Sequence, residues 1–147
     1  MEMRNDFKEL LESFNAREVE YLVVGAFALA WHGHPRYTGD LDLYVNPSPH
    51  NAARVLQALA DFGFASLGLV QADFEMPERV VQLGVAPLRV DILTTISGVD
   101  WPSAWEGSVL GSYGDTPVRY IGKEEFRANK LAIGRAKDLA DLEALEE

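Results

Sequence analysis

The sequence predicts a mixed α/β (α+β) domain: a mixed β-sheet with helices packed mainly on one face and further helices at the C-terminus. Three observations predict it. Apolar residues recur at spacings of three and four near both ends of the chain. Short runs rich in β-branched residues lie between them, some continuous and some alternating. Glycine and proline punctuate these runs at intervals suited to hairpins and helix ends. At 147 residues, 48% apolar and 24% charged, residues 1–147 read as one domain with an ordinary core.

Residues 5–16 carry Phe7, Leu10, Leu11 and Phe14 on one helical face. Tyr21–Val24 is a continuous apolar run and reads as a central strand, ended by Gly25. Ala26–His32 reads as a short helix, and residues 33–39 as a loop. In Leu41–Val45, Leu41, Leu43 and Val45 point one way while Asp40, Asp42 and Tyr44 point the other. Ser48 is a good N-cap and Pro49 a good first helical residue, so Pro49–Phe62 reads as a helix closed by Gly63. Phe64–Val70 reads as a strand. Arg79–Leu83 and Leu88–Leu93 pair around "GVAP", and the loop "ISGVDWPSAWEG" holds one helical turn after Ser103 or nearby. Ser108–Ser112 and Pro117–Ile121 form a hairpin across Gly114-Asp115. Lys123–Ile133 and Arg135–Glu146 read as helices broken at Gly134, with Leu131, Leu139, Leu142 and Leu145 as core positions.

Composition narrows the function classes. The net charge is −10 with only 13 basic residues, a poor match to an extended duplex, which needs many phosphate contacts. A small nucleotide, a protein partner or an RNA end met by a local basic patch suits the chain better. Plain solubility is the competing account of the charge. The chain contains no cysteine, so disulfides and thiolate metal sites are out, as expected of a cytoplasmic protein. The start "MEMRNDFKELLESF" reads as an amphipathic helix and not as a signal peptide. The longest apolar stretch, Tyr21–Trp31, is about half what a bilayer span requires, so no membrane role is expected.

Asp40 and Asp42 sit two apart on a strand, on one face, roughly 7 Å apart at Cα. Carboxylates so placed either decorate a strand edge or share a divalent cation; without one they repel and at least one pKa rises. Asp91, in "LRVDIL", sits mid-strand among apolar neighbours and needs a partner. Arg89, on the same face, supplies one reading, a structural ion pair. A shared cation supplies the other. If the two strands are neighbours, Asp40, Asp42 and Asp91 converge, as two-metal phosphoryl transfer requires. Gly25-Ala26 then offers backbone N–H groups to a phosphate at a helix start. Arg36 and Thr38, just before the aspartates, are placed to contact phosphate or to shape the loop.

Other candidates have bland readings beside the sharp ones. His32 and His34 form H-x-H, but a closed zinc site would need carboxylates as well; the competing role for His32 is a hydrogen bond that fixes the loop. Trp31, Trp101 and Trp105 either stack on a base or pack as anchors. Lys130, Arg135 and Lys137 either bind nucleotide or form a solvated face paired with Asp138, Asp141 and Glu143.

Taken together, "VVGAFALAWHGHPRYTGDLDLYV", "LRVDILTTISGVDWPSAW" and "IGKEEFRANKLAIGRAKDLADLEAL" resemble the nucleotidyltransferase (DNA polymerase β-like) superfamily. Within it they are most similar to the minimal bacterial and archaeal branch related to abortive-infection and type IV toxin–antitoxin toxins. The likeness runs from Tyr21 to Leu145. It implies a nucleotidyltransferase-like sheet and Mg2+- or Mn2+-dependent transfer of NMP from an NTP to an acceptor. That acceptor is an RNA end such as tRNA, a protein or a small molecule, and a cognate antitoxin is an implied partner. It also implies that Asp40, Asp42 and Asp91 form the catalytic metal site. Gly25 and Ala26 would face the triphosphate, and Lys130, Arg135, Lys137 and Asp138 match a C-terminal K-x-x-x-x-R-x-K-D pattern. The branch's second turn glycine is Ala26 here. The competing expectation is a catalytically inactive binding partner with the same fold.

Overall fold

The computed structural model describes residues 5–35, 38–85 and 88–146. Arg36 lies outside the described residues. Helix α1 (Asn5–Ala16) buries Phe7, Leu10, Leu11 and Phe14, as their spacing predicts. Strand β1 (Tyr21–Val24) is buried throughout and runs directly into α2 (Gly25–Trp31). Strand β2 (Asp40–Val45) follows. Helix α3 (Pro49–Leu59) opens on a Ser48 N-cap that accepts from the Asn51 amide. Strands β3 (Val80–Val85) and β4 (Leu88–Leu93) form one pair, and β5 (Val109–Tyr113) and β6 (Thr116–Tyr120) another. Helix α4 (Trp101–Glu106) lies between the pairs, and α5 (Lys123–Ile133) and α6 (Ala136–Glu146) end the described chain.

The six strands make one mixed sheet in the order β3-β4-β2-β1-β6-β5. The outer pairs are hairpins, and β1 and β2 are antiparallel, whereas β2 runs parallel to β4 and β1 parallel to β6. The two central strands are therefore those that flank Gly25 and carry Asp42. One buried cluster joins α1, α3, the central strands and Phe126 of α5. Among the described residues no helix is long and apolar enough to cross a membrane.

Three sequence expectations are corrected. Phe64–Val70 is not a strand: α3 ends at Leu59, a wide turn spans Ala60–Phe64, and a 3-10 turn covers Ala65–Leu67. Gly63 and Gly68 both take positive φ there, which breaks extended backbone, and Leu67 and Val70 are exposed. Helix α4 begins before Ser103, because the Asp100 side chain caps it by accepting from the Ser103 amide at 2.9 Å. Of the four leucines expected in the core of α5 and α6, only Leu145 is buried; Leu131 is 57% and Leu139 47% exposed, and Leu142 is intermediate. Helix α6 instead turns Asp138, Asp141 and Leu145 inward, a helical face at i, i+3 and i+7. Buried Lys130 on α5 is the partner that draws the acids in.

The buried Asn51 side chain fastens α3 to the central strands. Its Oδ1 accepts from the Glu20 amide at 2.7 Å, and its Nδ2 donates to the carbonyls of Glu20 and Asn46 at 3.0 and 2.8 Å. Asn51→Ala takes a bond from the Glu20 amide and from the Asn46 carbonyl, while the Glu20 carbonyl still accepts from the Asn46 amide, so urea unfolding should show a loss of about 2–4 kcal/mol. Leu131→Ala should stay within about 0.5 kcal/mol of the parent, and Leu145→Ala should cost about 2–3 kcal/mol. Equal losses at the two leucines would contradict this packing of α5 and α6.

Candidate active site

Strand register builds the site. Between parallel β2 and β4, Asp40 lies opposite Arg89 and Asp42 opposite Asp91. Side chains two apart on a strand share a face, so the four groups form a square on one face of the sheet. On the other flank of β2, Asp42 pairs with Val24, the last residue of β1. The chain turns there at Gly25, with φ 70°. A Cβ at this position would collide with Asp42 Oδ2. Glycine therefore serves both the backbone conformation and the room left for the carboxylate.

Arg89 ties the square together. Its Nη2 lies 3.2 Å from Asp40 Oδ2 and 3.3 Å from Asp91 Oδ2. Its Nε lies 3.1 Å from Asp91 Oδ1. That last contact is an ion pair without hydrogen-bond alignment, for both atoms are buried and neither makes a hydrogen bond. The Asp91 side chain is 13% exposed and that of Asp40 43%. The structure gives Asp91 the Arg89 partner, and the β2–β4 register brings it beside Asp40 and Asp42. The contact with Asp40 is new, because the register of two distant segments creates it.

Asp42 bears the strain of this crowding. Burial first, then the charges of Asp91 and Asp40, push its carboxyl up to about 6 against the pull of Lys130 and Arg89. Asp91 is also raised, chiefly by burial, with Arg89 holding it back. Asp40 is anchored from behind: its amide donates to Thr38 Oγ1 at 3.1 Å. Thr38 thus shapes the entry to β2, as one of its two expected roles required.

A cleft of about 300 Å³ opens over this face. Gly25, Ala26, Thr38, Asp40 and Asp42 line one wall. Lys130, Arg135 and Lys137 line the other, together with Asn129. Asp91 sits one strand further over and does not line the cleft. Thr95, Ile96 and Ser97, just after β4, close one end. These three and Asn129 carry no sequence signal, since only the docking of α5 brings them in; Asn129 Nδ2 donates to the Ser97 carbonyl at 2.9 Å.

The basic wall is not three free cations. Lys130 Nζ is buried 3.3 Å from both Asp138 and Asp141. Arg135 Nε donates to Asp138 at 2.7 Å, and Arg135, then Lys130, hold Asp138 below the usual carboxylate range despite its burial. Lys137 is exposed at the cleft. Helix α2 has seven residues, too short for a large dipole, so the first cleft wall owes its character to the Gly25 turn and the acids.

The other candidates settle into the scaffold. His32 Nε2 donates to the Ile121 carbonyl at 2.7 Å, tying α2 to the end of β6. Trp31 stacks on Tyr120 with ring centroids 4.7 Å apart. Trp101 and Trp105 stack together, with Arg119 over Trp105. Among the described residues no three acidic or histidine side chains are gathered at metal-ligand spacing, and Arg89 stands among the acids. The acidic donors at the cleft, Asp40 and Asp42, are nonetheless all oxygen, the ligand type a hard divalent ion takes, and the buried Asp91 Oδ1 beside them is held by an ion pair without a hydrogen bond.

Fold and site together define a mixed α/β domain with an acid-floored cleft faced by basic side chains. No protein-family model matches the chain, and no curated protein matches its sequence.

Two outcomes follow from Gly25 and Asp42. Gly25→Ala should destabilise by about 1–2 kcal/mol through backbone conformation alone, plus a steric share that disappears in an Asp42→Ala background; a double-mutant cycle in urea reads that coupling. Asp42 binds its proton more tightly folded than unfolded, so its contribution to stability is full below pH 3.8 and is lost as pH rises through about 6. With divalent ions chelated, wild-type stability should fall over that window relative to Asp42→Asn. Parallel curves would refute the shift.

Proposed function

We propose that the chain is a magnesium-dependent nucleotidyltransferase that moves a nucleoside monophosphate from an NTP to an acceptor hydroxyl or phosphate. The observation that carries this reading is the convergence of Asp40, Asp42 and Asp91 beside the Gly25 turn, across a cleft from Lys130, Arg135 and Lys137. The resemblance of the three sequence segments to the polymerase β-like superfamily points the same way.

In this mechanism Asp40 and Asp42 would hold the cation that accompanies the triphosphate, and Asp91 would complete the set. Bound magnesium or manganese supplies charge neutralisation on the phosphates and a lowered pKa for the attacking hydroxyl. Gly25 and Ala26 leave backbone beside the phosphates with little side-chain bulk. Lys137 and Arg135 offset phosphate charge from the opposite wall. Lys130, fixed by Asp138 and Asp141, holds its ammonium where it opposes the rise of the Asp42 carboxyl. The acceptor oxygen forms its bond to the α-phosphorus while the bond to the bridging oxygen breaks and pyrophosphate leaves. A carboxylate of the cluster takes the acceptor proton. An RNA end, a protein hydroxyl and a small molecule are the acceptor classes such a site serves, and an antitoxin-like protein is the partner class the resemblance adds.

A second reading is favoured by Arg89: with Asp40 and Asp91 already paired, the domain works as an acidic binding partner without catalysis. Radiolabelled NTPs added to cell lysate with magnesium distinguish the two. Wild type should label an acceptor and release pyrophosphate, and Asp42→Asn should label it about 100-fold less or weaker still. Equal labelling by both proteins removes the catalytic assignment. Release of inorganic phosphate alone indicates a phosphohydrolase.

A further inference from the structure

Arg89 occupies the position that matters most for cation binding. Its Nη2 lies between Asp40 Oδ2 and Asp91 Oδ2, at 3.2 and 3.3 Å. Strand register holds it there, opposite Asp40 and two residues before Asp91 on the same face. A divalent ion ligated by those two carboxylates would need their oxygens at about 2.1 Å, in the space the guanidinium fills. Two cations cannot share that space. Arg89 is also imperfectly aligned: its Nε meets Asp91 Oδ1 at 3.1 Å as a buried ion pair in which neither atom makes a hydrogen bond. A side chain so placed, and 35% exposed, has room to be displaced.

From this we infer that Arg89 is a built-in competitor for the cation. It pairs with Asp40 and Asp91 and offsets one of their two charges while the site is without metal, and it swings out when a divalent ion enters. The affinity of the cluster for a bare divalent ion is thereby lowered, and part of the repulsion among three neighbouring carboxylates is offset in the resting protein. The inference rests on the reading of Asp40, Asp42 and Asp91 as a cation site. It adds a residue that sets how readily the site fills.

Calorimetric titration of the chelator-treated full chain with MnCl2 alone tests it, with no nucleotide present. Arg89→Met should bind manganese on the order of tenfold more tightly than wild type, which corresponds to about 1.4 kcal/mol. Asp42→Asn should weaken binding in either background. If Asp42→Asn weakens binding but Arg89→Met does not tighten it, the competitor role is overturned and the cation site stands. If neither substitution alters binding, both fall. A wild-type measurement covers the case in which Arg89→Met does not fold. The Arg89 Nε proton, buried without metal, should exchange with solvent faster once MgCl2 saturates the site, as read by nitrogen-resolved NMR. Unchanged protection at saturation overturns the inference.

Discussion

Like charges held together by backbone register are the constraint on which this molecule turns. The pairing of β2 with β4 places Asp42 opposite Asp91 and Asp40 opposite Arg89. Every ladder bond that stabilises these central strands also forces three carboxylates onto one patch. A slip of one residue would move all of them to the opposite face. The buried alternation of Leu41, Leu43, Val90 and Ile92 forbids that slip. Core packing thus fixes an electrostatically unfavourable arrangement, and the site exists because the core makes it hard to escape.

The neighbourhood answers that repulsion in graded ways. Arg89 pairs with both Asp40 and Asp91 and offsets one of their charges, and the carboxyl of Asp42 is pushed up to about 6. Lys130 acts from across the cleft, where it is itself held by Asp138 and Asp141. The Gly25 turn contributes by omission, because a methyl group there would press on the Asp42 carboxylate. Perturbed carboxyl groups of this kind concentrate at functional sites, although structural ion-pair networks produce them too. Here Asp42 lines the cleft, and Asp91, one strand away, keeps a buried oxygen that meets Arg89 Nε at 3.1 Å without a hydrogen bond.

Much of the fold was legible in the sequence, because its signals were local. The spacing of Phe7, Leu10, Leu11 and Phe14, the Ser48-Pro49 helix start and the Gly114-Asp115 turn each act within a few residues. Each appears where its chemistry predicts. The convergence of Asp40, Asp42 and Asp91 was legible only as a condition on neighbouring strands, since no local feature sets which strands pair. The Arg89–Asp40 contact, the cleft residues Thr95 to Ser97 and the docking of Asn129 depend wholly on tertiary packing. The leucines of α6 misled for a related reason. Hydrophobicity alone assigns Leu139 and Leu142 inward, but Lys130 offers Asp138 and Asp141 a stronger reason to face it.

That choice has an energetic consequence. A buried ion pair rarely adds net stability over apolar side chains of similar volume, because desolvation consumes most of the attraction. Placing Lys130, Asp138 and Asp141 between α5 and α6 while Leu131 and Leu139 face outward is therefore an inefficient way to dock two helices. Its gain is directional. A lysine held by two carboxylates cannot swing away, and its charge stays within reach of Asp42. Arg135, bonded to the same Asp138, is held at the rim of the cleft. The polar interior of the C-terminal hairpin and the strained acids of the sheet are two halves of one electrostatic arrangement. Neither half is explained by the needs of folding alone.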